Sequence, residues 1–503
     1  MKRYLTSPVV IVLMLLGLLI FQTGKSFVTA FIGMGLFGLM ALARPDLALV
    51  MIPTMVPLYL MPSIIREIRD EWLDPFLLPT FEIATLTTFM ATIAHCAWRL
   101  LVSKTLSWPR LGLSEITALA KRYAPHIVWA VAALIGLLIA AERSRALREF
   151  RWMVVEPLLF YGMIQLQAWL NPDQRKAFLR ALITSFAVTA AVVGLIGLLQ
   201  IIGLDPAPLI GRKRCQTTEG APCPNVIYDG SIVRVLSVYG HPNNMALFVG
   251  RIWPLAAAMG LLSWSIMSWR KGWMYFGLAA LALIGMLVSF SRGGWLGTAV
   301  ALLILAYGAL IQMGVFQQRS LIALLKLRSV RLGLLGVVLV VIALAAFTLT
   351  IRGNIFDGST PIRILLWQEA FAYIVRHPFG IGLDQFGFYH DPNNPELSLI
   401  HPSLIGTSEQ FASHPHTMLL DLWLRVGPLG LFAFLWLIVR FFRRMFAAAQ
   451  KPGIALLAYG ALAAMAAALV HGQVDHFYFV SDLAFVFWFL IVVGEAPDEA
   501  LLA

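Results

Sequence analysis

Charge is scarce in this chain. Asp, Glu, Lys and Arg make up 13% of its 503 residues, about half the share of a soluble domain, while 59% of the side chains are hydrophobic and mean hydropathy is +0.80. A soluble globule is excluded. Nucleic-acid binding is excluded with it, because no basic soluble segment exists to hold such a partner. Cysteine is nearly absent, at three residues. Cys96 sits in an apolar run and reads as packing, whereas Cys215 and Cys223 share one polar loop. A bridge between those two requires an oxidising compartment, and their spacing alone does not show that the side chains meet. Ligand-binding signatures are missing too: there is no His-Glu-x-x-His, Asp-x-Asp, Cys-x-x-Cys or Walker motif. The expectation is no metal and no cofactor.

What the chain does have is apolar runs. They fall near 8–22, 27–43, 45–62, 78–98, 125–141, 152–170, 177–203, 244–266, 274–290, 293–313, 332–350, 417–439, 454–471 and 479–494. The expected fold class is all-α: a polytopic membrane protein of about 12 to 14 transmembrane helices, since roughly 17 to 25 apolar residues cross a bilayer. No repeat or linker divides it, so one transmembrane domain is expected over 1–503. The first run follows Lys2 and Arg3 like a signal peptide, but no small-residue cleavage site follows and another span begins at once. It reads as a retained helix.

Orientation follows from Lys and Arg in the loops. With the N-terminus cytoplasmic, the inner loops hold Arg99 to Arg122, Arg175-Lys176, Arg270-Lys271, Arg319 to Arg331, and Arg440 to Lys451, which is the richer set. Both termini are then cytoplasmic. The two-cysteine loop and the long polar stretch 352–415 then face the periplasm or exterior. The net charge of +12 suits anionic membrane lipids. The outer side nonetheless keeps Arg143, Arg145, Arg148, Arg151, Arg212, Arg214, Arg234, Arg292, Arg352, Arg363 and Arg376. Guanidinium forks suit phosphate oxygens. A diphosphate substrate is one reading; pairing with lipid heads or with Glu142 and Glu149 is the other.

The 352–415 stretch is expected to form an extracytoplasmic loop subdomain. Within it, Pro361 to Arg376 carries helical apolar spacing with Arg363 in the first turn, His377-Pro378 stops the helix, and Gly380-Ile381-Gly382 turns the chain. Asp391 to Ser413 reads as irregular. Upstream, Ser289-Phe290-Ser291-Arg292-Gly293-Gly294 is a tight reversal in which the glycines are expected to take positive φ. Asp421 and Arg425, four apart on one helix, are expected to pair. Arg234 precedes His241-Pro242-Asn243-Asn244, where the asparagines either cap a helix or bind sugar hydroxyls, the cap being favoured. His416 closes the loop at a helix start, where an imidazole can serve as a general base. His414, His401, His390 and His377 compete with it, and spacing selects none of them.

Taken in order, Ser291-Arg292-Gly293-Gly294, Arg363 ahead of Leu365-Leu366-Trp367-Gln368-Glu369, His377 to Gly382, and His416 ahead of Gly427-Pro428-Leu429-Gly430 resemble the O-antigen ligase and polymerase superfamily. The Arg234 to Asn244 stretch looks like a further motif of that family. The resemblance implies an inverting, metal-independent membrane glycosyltransferase that moves a glycan from undecaprenyl diphosphate to an acceptor hydroxyl of a lipid, glycan or protein. By the same resemblance His416 would be the catalytic base and Arg292 and Arg363 the diphosphate-binding residues, while the residues themselves offer Arg234, Asn243 and His414 as possible substrate-binding groups. Where the ligase pattern has Asn, Ser or Gln after the histidine, this chain has Thr417, which bears on the subtype. The alternatives are an O-antigen or exopolysaccharide polymerase or a protein O-oligosaccharyltransferase of the same superfamily. From other classes they are a flippase or transporter of lipid-linked glycans, and a non-catalytic scaffold.

Overall fold

The computed structural model describes residues 7–24, 26–61, 79–102, 112–211, 226–229, 232–264, 268–312, 359–407, 409–451 and 453–496. The apolar run 332–350, Cys215 and Cys223, and the first part of the 352–415 stretch, Arg352 included, lie outside them. The protein is an all-α membrane bundle. The strands among the described residues form one hairpin, β1 (Val226–Asp229) antiparallel to β2 (Ile232–Val235).

Lipid offers no partner to a backbone amide, so apolar runs close their hydrogen bonds internally as helices. The first runs give short ones: α1 (Ser7–Thr23), α2 (Phe27–Ala43) and α3 (Pro45–Met55), followed by α4 (Thr80–Ala97). Pro53 and Pro57 end the third run early, in a 3-10 turn over Val56–Leu60. Then come α5 (Leu113–Ile139), α6 (Arg143–Phe150), α7 (Glu156–Leu170) and α8 (Arg175–Ile201). After the hairpin follow α9 (Pro242–Leu262), α10 (Trp269–Val288), α11 (Arg292–Gln312), α12 (Ser359–Arg376) and α13 (Phe386–His390). The chain ends in α14 (Met418–Ala448), α15 (Ala455–Gly472) and α16 (Ser481–Glu495). Among the described residues, eight helical segments are long and apolar enough to span a membrane. Every residue of α16 is buried. A helix that is apolar all round must be enclosed, and α16 fills the centre with Phe485, Phe487, Trp488 and Phe489.

The reversal before α11 is built differently from the expectation. Its positive φ belongs to Phe290 (φ 52), not to the glycines. Gly293 and Gly297 instead let α15 come close. A Cβ on Gly293 would stand 2.5 Å from the His471 ring, and one on Gly297 would stand 2.8 Å from the Ala467 carbonyl.

α14 is kinked at Gly427 (φ 66, ψ −175). In a regular helix the next N–H would bond the carbonyl of Leu424, but residue 428 is proline and has none. The loop supplies the missing donors. Ile381 N–H and Gly382 N–H both reach the Leu424 carbonyl, at 2.7 and 3.1 Å, and Trp423 Nε1–H donates to the Pro378 carbonyl at 2.8 Å. A Cβ on Gly427 would lie 2.6 Å from the Phe379 carbonyl oxygen. The His377 to Gly382 and Gly427 to Gly430 motifs are thus two halves of one joint, which fixes the polar loop to the bundle.

Beyond the joint, the loop has its own small core of Leu366, Ala370, Tyr373, Ile374, Phe386 and Leu404. Its irregular part is tied down by Tyr373, whose hydroxyl donates to the Tyr389 carbonyl at 2.7 Å and accepts from Leu399 N–H at 2.8 Å. Gln385 holds the loop to the α5–α6 corner, accepting from Glu142 N–H at 2.7 Å.

Candidate active site

The starts of α9, α11 and α14, the ends of α10 and α15, and the hairpin meet at one end of the bundle. Arg234, on β2, is buried there. Its Nε–H donates to the Ser289 carbonyl at 3.1 Å and its Nη2–H to Asn243 Oδ1 at 3.0 Å. Asn243 passes the connection on, its amide donating to Asp475 Oδ2 at 2.6 Å. The asparagine therefore does not cap α9. That role falls to His241, whose Nδ1 accepts from Asn243 N–H at 3.1 Å, because Pro242 leaves the next amide free for a cap.

Asp475, in the connection between α15 and α16, is the centre of a histidine cluster. His414 Nε2 lies 3.6 Å and His416 Nδ1 3.9 Å from its Oδ1. The rings of His414 and His476 stack at 3.3 Å, and His414 meets His416 at 4.0 Å. His416 has a left-handed backbone (φ 52), a conformation histidine tolerates better than most residues but one still associated with strain. That reversal turns both rings of His414-Pro415-His416 toward Asp475. On its other edge, His416 Nε2 lies 3.2 Å from Glu409 Oε2.

The electrostatics follow from this crowding. Burial opposes the charge on Asp475, but His414, His416 and His476 around it outweigh burial and hold its carboxyl well below the usual carboxylate range. The hydrogen bond from His416 likewise holds Glu409 down, against the opposing effect of burial. Burial, aided by the charge of His416, pushes His414 down to about 3. His414 is therefore a neutral imidazole at pH 7.

The two arginines approach from different elements. Arg292 is the first residue of α11, half-buried, and follows Ser291, whose Oγ is 3.2 Å from His471 Nε2. Arg363, in the first turns of α12, is half-buried and close enough for its charge to act on both Glu409 and His471. His416, His414, Arg234 and Asn243 thus form one contiguous cluster, with Arg363 beside Glu409 and Arg292 beside Ser291. Asp475, His476, Glu409 and His471 are functional candidates that sequence reading missed. One signal was available for the Asp475-His476 pair: it sits in the short connection between the last two apolar runs, on the face that His416 begins.

The other histidines serve the loop. His390 Nδ1 lies 2.9 Å from both Glu369 oxygens and its Nε2 2.8 Å from the Glu409 carbonyl. Several outer arginines also have structural partners, with Arg148 3.3 Å from Asp384 and Arg151 2.6 Å from Glu82. Arg425 pairs with Asp421 at 2.7 Å, as expected from their spacing, and also with Glu149.

No curated protein is similar enough to the chain to count as a match. Residues 277–435 match the family model described as O-antigen ligase. That segment runs from α10 through Arg292, Arg363, His414 and His416 to the kinked joint of α14, and over it the chain is similar to the O-antigen ligase superfamily.

Proposed function

We propose that the protein is a glycosyltransferase that moves a glycan from undecaprenyl diphosphate to an acceptor hydroxyl at the outer face of a bacterial inner membrane. The observation that carries this reading is the placement of His416 between Glu409 and Asp475, beside Arg363, at the end of the bundle where α11 begins with Arg292. The His416 imidazole, held between the two carboxylates, takes the proton of the acceptor hydroxyl. The acceptor oxygen bonds to the anomeric carbon from the face opposite the diphosphate. The bond from that carbon to the phosphate oxygen breaks with its electron pair on the leaving group, and the configuration inverts. Arg292 and Arg363 neutralise the diphosphate, so the reaction needs no metal. The Arg234-Asn243-Asp475 chain positions the cluster, and the fixed polar loop shapes the acceptor side.

The test is transfer by purified protein from a defined undecaprenyl-diphosphate glycan, with chelator present, to lipid, glycan and protein acceptors, read by product mass. A single added donor glycan on a lipid acceptor supports ligation, and stepwise extension supports polymerisation. Arg292→Ala and Arg363→Ala are expected to lose at least about 100-fold in rate each, as for removal of a charge-stabilising donor. Glycan-lipid movement across vesicles with no product on any acceptor would replace the transferase with a transporter.

A further inference from the structure

The same cluster leaves polar atoms over. His414 Nε2, His416 Nδ1 and His476 Nδ1 are each sealed from solvent with no hydrogen-bond partner among the described residues. Asp475 Oδ1 lies close to two of them, at 3.6 and 3.9 Å, which is too long for a hydrogen bond. Such separations suit groups that share an ion: with bonds of about 2.0 to 2.1 Å, tetrahedral ligand atoms stand about 3.4 Å apart. Donor atoms of His414, Asp475 and His476 all fall within 4.8 Å of one another. Each oxygen of Asp475 already accepts one hydrogen bond, Oδ1 from the His476 backbone N–H at 2.8 Å and Oδ2 from the Asn243 amide at 2.6 Å, the kind of outer hydrogen bond that orients a carboxylate ligand.

We propose that His414, Asp475 and His476 form a binding site for a divalent transition-metal ion of the zinc class, with His416 Nδ1 as the fourth ligand. Imidazole nitrogens joined by a single carboxylate favour zinc over magnesium or calcium, which take oxygen ligands. Binding tilts the His476 ring out of its 19° stack on His414 so that the two lone pairs converge. The ion engages the imidazole proposed above as the base, so it inhibits transfer. That consequence rests on the proposed reaction, but the site itself does not.

The test loads full-length detergent-purified protein, stripped with chelator, with zinc chloride, desalts it and counts bound metal by mass spectrometry. The expected result is one zinc per chain for the wild type and for His401→Ala, which removes an exposed histidine of the same loop. His476→Ala is expected to bind at least tenfold more weakly, with folding checked on the same samples by size exclusion. Cobalt(II) loading of the wild type gives a second readout that needs no variant: intense visible bands of a tetrahedral site are expected. Wild type that holds no zinc, a weak six-coordinate cobalt spectrum, or undiminished zinc in His476→Ala would each overturn the site. Zinc that binds as expected without slowing transfer would refute only the inhibition.

Discussion

Gly427→Ala tests the joint between the polar loop and α14. The native backbone there (φ 66, ψ −175) lies in a region populated essentially by glycine alone, and forcing another residue into it costs about 1–3 kcal/mol. The new Cβ would also stand 2.6 Å from the Phe379 carbonyl, a backbone atom that cannot turn aside. Relief requires moving the loop, which breaks the Ile381 and Gly382 hydrogen bonds to Leu424, at roughly 1 kcal/mol net each. The loop is therefore expected to open locally with a loss of about 3 kcal/mol, equivalent to roughly 100-fold faster exchange of its protected amides. Hydrogen exchange over residues 380–390 measures this. Transfer should fall with it, because the loop carries His416 and Glu409. Gly250→Ala is the control: it lies within α9, and a Cβ there meets nothing within 4 Å, so a gain of about 0.5–1 kcal/mol is expected. Equal loop exchange in the two variants would refute the joint.

Arg425→Leu leaves Asp421 and Glu149 buried and unpaired, so a loss of about 3–5 kcal/mol is expected, read as reduced melting temperature and yield of monodisperse protein. Arg425→Lys should recover only part of it, since an ammonium lacks the fork that reaches both carboxylates. Burial opposes a charge on His390, but Glu369 and the Glu409 carbonyl outweigh it and raise its pKa above the ordinary 6.5. A raised folded pKa stabilises fully below about 6.5, and the contribution is lost as pH rises through the folded value. Exchange of the loop backbone should therefore accelerate from pH 6 to pH 9 beyond its intrinsic pH dependence, and His390→Gln should remove that excess. Asn243→Leu removes the hydrogen bonds from Arg234 Nη2–H and to Asp475 Oδ2 and should destabilise by about 1–3 kcal/mol, measured by thermal unfolding.

The helical class was legible because long apolar runs admit few other structures in lipid, and the loop helix because Ile362, Leu366, Ala370 and Ile374 repeat at helical spacing. The extents of the first helices were not, since prolines such as Pro53 and Pro57 end helices inside an apolar run. The roles of Gly293 and Gly427 were hidden for a different reason. A glycine placed for a close approach and one placed for positive φ look identical until the neighbour is known. Motif order brought forward Arg292, Arg363 and His416. Asp475 and His476 escaped because they lie about 60 residues from His416, and only the return of α15 to the same end of the bundle joins them. Glu409 escaped as one polar residue among many in an irregular segment.

The role of His416 is tested most directly by single-turnover transfer with wild type, His416→Gln and His414→Gln, each verified as folded. A general base contributes about 10²–10⁴ in rate, so His416→Gln should lose that much. His414→Gln, whose imidazole packs against His476 and Asp475, should stay within about tenfold of wild type, because it changes only the surroundings of the base. A His416→Gln enzyme that transfers glycan at nearly the wild-type rate, or a larger loss in His414→Gln, would contradict the account.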